Sequence, residues 1–124
     1  MRLALVALDG SIHWLCLPDF AGASVFGALL DARRGGTFTQ RPAVPFTAAR
    51  RYVRDTNGLQ TTFTTATGAA TVTDAMTGPI ARGLVWNQIV RRIEARGTVP
   101  MEWAISPRFE YGDVAVTPCT LAGT

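Results

Sequence analysis

The sequence has no lysine; all 12 of its basic residues are arginine. Against 9 acidic residues this leaves a formal charge of +3, a weak bias with no continuous basic stripe. The arginines cluster at Arg33-Arg34, Arg50-Arg51 with Arg54, and Arg91-Arg92 with Arg96. A guanidinium fork suits phosphate, but it suits carboxylates and surface ion pairs equally well. Without a basic stripe, nucleic acid is not an expected partner. Charged residues are scarce overall, at 17%. With 48% hydrophobic residues, that scarcity excludes a disordered tail and fits a folded chain.

Histidine occurs once, at His13, so a histidine-based metal site lacks its partners. Cys16 and Cys119 allow one disulfide at most, and their apolar, strand-like neighbours favour two buried free thiols. No apolar run reaches the 18 or so residues of a membrane span. The opening Met1–Leu8 stretch is apolar, but it ends at Asp9-Gly10 without a clean cleavage site. A cytoplasmic location is the resulting expectation. No Gly-x-Ser-x-Gly elbow and no glycine-rich phosphate loop is present. No cofactor is expected.

What is present is a succession of short apolar and threonine-rich stretches divided by turn residues. At 124 residues the chain is one domain or part of one. Residues 3–8 and 11–17 read as a hairpin about Asp9-Gly10. Alternation then puts Ser11, His13 and Leu15 on one face and Ile12, Trp14 and Cys16 on the other. Residues 24–31 predict a short helix, capped by Ser24 and ended by Gly35-Gly36. Val25 with Leu29 and Phe26 with Leu30 have helical spacing there.

Residues 37–40 and 50–54 read as strands, with an irregular connection over 41–48. Residues 59–66 and 69–76 form a second hairpin about Thr67-Gly68. The stretch 84–95 fits a helix or a strand, and its valine and isoleucine content leans towards strand. Residues 99–106 alternate cleanly, with Met101, Trp103 and Ile105 on one face, and 113–117 make a last strand. The expected fold is all-β: an antiparallel sandwich with one short helix.

Two carboxylates flanking a bond would allow glycoside hydrolysis. Glu94 and Glu102 flank the Gly97-Thr98 turn and are placed to face each other across it, although a solvated pair is the plainer reading. Trp14, Phe20 and Phe26 gather about Pro18, and Trp103, Phe109 and Tyr111 about Pro107. Such aromatics serve core packing or stack on sugars.

A longer pattern runs through these pieces. Asp9-Gly-Ser-Ile-His-Trp-Leu-Cys-Leu-Pro-Asp-Phe20 is followed by Ser24–Asp31 and then by Gly35-Gly36-Thr37-Phe38. Next come Arg51-Tyr52, Asp55-Thr56, Leu59, Thr61-Thr62-Phe63 and Val72-Thr-Asp-Ala-Met76. Ile89–Glu94, Gly97, Val99–Met101 and Pro107-Arg-Phe-Glu-Tyr-Gly112 complete it. In this order the motifs resemble the N-terminal β-sandwich domain of bacterial glucoamylase- and trehalase-like proteins of glycoside hydrolase family 15.

The resemblance implies a domain, here residues 1–124 and incomplete (a partial supersandwich), that precedes an (α/α)6 barrel. That barrel carries the catalytic glutamates and hydrolyses α-glucosidic bonds, so this chain alone is expected to be non-catalytic. His13 and the Asp19-Phe20-Ala21 loop depart from the family's usual residues. His13, Trp14, Asp19, Phe20, Arg108 and Tyr111 are the candidate contacts with sugar or barrel. The implied partners are a catalytic barrel or a second copy of the chain, with α-glucosides as the ligand class. A stand-alone carbohydrate-binding module and a self-associating β protein are the alternatives.

Overall fold

In the computed structural model, residues 3–17, 21–76 and 88–109 are described. They form nine strands: β1 Ala4–Val6, β2 Ser11–Leu17, β3 Ala23–Phe26, β4 Thr37–Pro42, β5 Thr47–Tyr52, β6 Leu59–Thr64, β7 Gly68–Met76, β8 Ile89–Gly97 and β9 Met101–Ser106. Two antiparallel sheets result. One runs β1-β2-β4-β9, with β3 also paired to β2; the other is the meander β5-β6-β7-β8. The chain passes from the first sheet to the second after β4 and returns after β8. Ala43 N–H donates to Pro100 O at 2.9 Å, tying the two crossings together.

Period-2 patterning explains the layers. Thr61 and Phe63 on β6, and Ala70, Val72 and Asp74 on β7, are buried. Their intervening neighbours Gln60, Thr62, Thr71 and Thr73 look outward and bond one another; the Thr62 and Thr71 hydroxyls are 3.1 Å apart. From the first sheet, Ile12, Leu15 and Phe26 form the core cluster, with Phe38, Met76 and Ile89 packed on it. Phe63 also meets Phe46 edge-on, with ring centroids 5.0 Å apart.

The helix expected over 24–31 is absent, and no helix occurs among the described residues. Ala23–Phe26 is instead β3, with Ser24 opposite Cys16 and Phe26 opposite Leu15. Burial of Ser24 and Phe26 on β2 overrides the helical spacing. Leu29 and Leu30, which a helix would bury, stay exposed. The chain then loops. Gly27 N–H bonds Gly35 O at 2.6 Å, and the Asp31 carboxylate accepts the amides of Arg33 and Arg34. Gly35 lies so close to Gly27 that a Cβ would overlap its backbone.

The alternation expected on β2 also fails. Val6 pairs with Ile12 but Leu5 pairs with Trp14, so His13 is an extra residue, a β-bulge. The bulge lets Ile12 and Leu15, three apart, reach the same core. The first hairpin turns over four residues, Ala7–Gly10, rather than two. The ambiguous stretch is strand from Ile89 onward; residues 84–87 and the strand expected at 113–117 lie outside the described residues. β4 runs on to Pro42, into the expected irregular connection. Cys16 is a buried free thiol, and Cys119 lies outside the described residues.

Candidate functional site

Of the six contact candidates, Asp19, Phe20 and Tyr111 lie outside the described residues. His13 and Trp14 are half-buried on β2, and the His13 carbonyl accepts Leu29 N–H at 3.0 Å. Arg108 is exposed, and its backbone N–H donates to Val25 O on β3 at 2.9 Å. These candidates therefore lie along one sheet, with β3 between Arg108 and β2. No described hydrogen bond or ion pair joins the side chains of His13 and Arg108.

The supposed Glu94–Glu102 pair does not form. β8 pairs with β7 and β9 with β4, so the two residues belong to different sheets. Glu94 accepts from Arg92 at 2.8 Å and Glu102 from Arg41 at 2.7 Å. Gly97–Pro100 crosses between sheets instead of closing a hairpin.

The crossing creates a surface cluster that was hidden in the linear sequence. Arg41 on β4 reaches Glu102 on β9 through Nε and Asp9 of the first turn through Nη1, at 3.2 Å. Asp9 Oδ1 accepts Ser11 N–H at 2.9 Å. Burial raises the Asp9 carboxyl, but the Ser11 hydrogen bonds and the Arg41 and His13 charges outweigh it. The net effect holds Asp9 below the ordinary carboxylate value. The hydrogen bond to Glu102 raises the Arg41 guanidinium above its usual value. One guanidinium bonded to both Asp9 and Glu102 makes an ion-pair bridge, not an acid and a base poised for proton transfer.

A second constellation is buried. Arg91 on β8 stands opposite Asp74 on β7 and donates to it twice, from Nε at 2.6 Å and from Nη2 at 3.1 Å. Arg91 also crosses to the other sheet, donating to Gly10 O at 2.6 Å and Phe38 O at 3.1 Å. Its guanidinium lies 4.9 Å from the Phe38 ring centroid. The side chains are only 2% and 4% exposed, so solvent does not screen them. Gly10 holds φ at +85°, and a Cβ there would overlap Gln40 O. The signal for this pair was present. Asp74 shares parity with Val72 and Met76, and Arg91 shares parity with Ile89 and Ile93, which puts a charge on each apolar face.

The outer face of the second sheet carries a hollow of about 470 Å³, whose lining includes Arg51, Gln60, Thr62, Thr71, Glu94 and Arg96 beside two alanines. Long side chains on β5 and β8 flank short threonines on β6 and β7. Among the described residues, no group of three or more histidine, cysteine or acidic side chains is placed to hold a metal ion. No helix among them is long and apolar enough to cross a membrane.

The motif residues that run through the sequence thus converge on the sandwich itself: Gly10, Phe38, Asp74 and Arg91 on one buried site, and Thr61 and Phe63 in the core. The sequence profile described as "Trehalase-like, N-terminal" matches residues 1–121. The chain belongs to the trehalase-like N-terminal domain family. Among the relatives of this trehalase-like domain, the trehalase of Mycolicibacterium smegmatis is 41% identical over 101 residues, 80% of this chain. The trehalase of Mycobacterium tuberculosis is 39% identical over 100 residues, also 80% of this chain. Trehalase 1 of Sulfolobus acidocaldarius is 38% identical over 105 residues, 84% of this chain. The matched region makes up 14% of each mycobacterial protein and 17% of the Sulfolobus one. No solved structure matches this chain.

Proposed function

We propose that this chain is the non-catalytic N-terminal domain of a trehalase-like α-glucosidic hydrolase of the glycoside hydrolase family 15 type. On this reading residues 1–124 are an incomplete sandwich that packs against an (α/α)6 catalytic barrel in the cytoplasm and helps it fold. The observation that carries the reading is the disparity in coverage. Four-fifths of this chain aligns with trehalases, yet spans only 14% of the mycobacterial ones. The spending of motif residues on the buried ion pair and core supports a structural role. His13, Trp14, Asp19, Phe20, Arg108 and Tyr111 are assigned to barrel or sugar contacts, with α-glucosides as the ligand class.

The test is to express the catalytic segment of the Mycolicibacterium smegmatis trehalase with and without its matching N-terminal region. Soluble yield and trehalose hydrolysis are measured for both, and for the truncated form with this chain co-expressed. Loss on truncation and recovery with this chain are the expected results. Equal yield and activity in all three would refute the reading.

One observation favours a second reading, a stand-alone carbohydrate-binding module. Trp103 is 54% exposed beside Ile105, and such a face can stack on a sugar. Titration with maltose or trehalose while following tryptophan fluorescence separates the two; saturable quenching by the isolated chain favours the module.

A further inference from the structure

Strand β8 is the last strand of its sheet among the described residues, and Ala95 through Gly97 and Arg92 through Glu94 are all exposed. It is nine residues long, with no proline and no bulge in its pairing with β7, and the charges it carries, Arg91, Arg92, Glu94 and Arg96, are of both signs. Its apolar side chains Val90 and Ile93 are 47% and 40% exposed.

The charge order along β8 is self-complementary. Ile93 is the central residue of Ile89–Gly97, with Arg92 before it and Glu94 after it. In an antiparallel pairing about a two-fold axis at Ile93, Ile93 meets its own copy. Arg92 faces the second copy's Glu94, and Glu94 faces its Arg92. The remaining pairs are Val90 with Arg96, Arg91 with Ala95, and Ile89 with Gly97. All nine residues find partners and no like charges oppose. Moving the axis one residue either way sets Arg92 against Arg92 or Glu94 against Glu94. Axes between residues would pair inward with outward side chains.

The other long edges fit a second copy less well. β9 spans six residues between Pro100 and Pro107. β5 carries Arg50 and Arg51 and no acidic residue.

We propose that β8 is a homodimerisation edge, joining the four-stranded sheets of two copies into one continuous eight-stranded sheet. The exposed Arg92–Glu94 pair, 71% and 54% exposed in the single chain, becomes a four-charge cluster on the outer face. Ile93 packs on its copy on the inner face.

The test is the solution mass of the chain by size-exclusion chromatography with light scattering, over a concentration series. The expected result is twice the 13.3 kDa chain mass at high concentration. Glu94→Arg creates two like-charge contacts by symmetry and is expected to raise the dissociation constant roughly tenfold or more. Arg92→Glu combined with Glu94→Arg restores the complementarity and the dimer. Because both side chains are exposed, thermal unfolding by circular dichroism should be nearly unchanged at concentrations where both variants are monomeric. A monomer at every concentration overturns the proposal. So does a dimer that survives Glu94→Arg, or one that is lost only with Trp103→Ser, which would place the contact on β9.

Discussion

Asp74 and Arg91 stand directly opposite each other on adjacent strands, and both face into the sandwich. The pair satisfies each other's charge, and Arg91 donates two further hydrogen bonds to carbonyls of the opposite sheet. One guanidinium therefore joins β8, β7, β4 and the first turn. Desolvating both ions is costly, and the interaction offsets that cost only because every partner is in place. Removing either partner leaves an unpaired buried charge.

Asp74→Ala and Arg91→Ala are each expected to destabilise the domain by about 3–5 kcal/mol. Chemical denaturation with paired fluorescence and circular dichroism readouts measures this. Replacing both together with apolar residues of similar size should cost less than the two single changes summed. Strict additivity in that cycle would mean that the two side chains do not interact.

Asp9 makes stability depend on acid. Its native carboxyl titrates below the ordinary value of 3.8, so the unfolded chain takes up the proton first as pH falls. The contribution is whole above that value and is lost as pH drops below it through the lowered native value. Asp9→Asn should flatten this part of the urea-midpoint profile while leaving near-neutral behaviour similar in shape. An acid limb identical to that of the parent chain would show that Asp9 is not a source of it.

The loop after β3 separates strand from helix experimentally. Phe63 is fully buried, and Phe63→Ala is expected to cost about 3–5 kcal/mol. Leu30 is 67% exposed, and Leu30→Ala should stay within about 0.5 kcal/mol. A helix over 24–31 would pack Leu30 beside Phe26 and make its truncation costly. A large loss at Leu30 would therefore contradict the looped chain path.

Much of the fold was legible because strand patterning is local. Thr61 and Phe63 alternate with Gln60 and Thr62, and Thr67-Gly68 marks the turn between β6 and β7, so the hairpin is readable from a dozen residues. Residues 24–31 misled because Val25, Phe26, Leu29 and Leu30 have helical spacing. Their true environment is set by β2, which lies outside that window. The bulge at His13 was equally invisible, because an extra residue is defined only against a partner strand.

Local alternation and turn chemistry, which depend only on near neighbours, determined the all-β character, most strand positions and the ordered motifs that mark the family. Tertiary structure alone decided which sheet each strand joined. Glu94 and Glu102, eight residues apart, were thereby sent to different sheets, while Asp74 and Arg91, 17 apart, were brought to 2.6 Å. The physical reason is that a strand's hydrogen-bonding edge is nearly the same whatever its sequence. Its partner is chosen by what both faces can bury once the whole chain has folded.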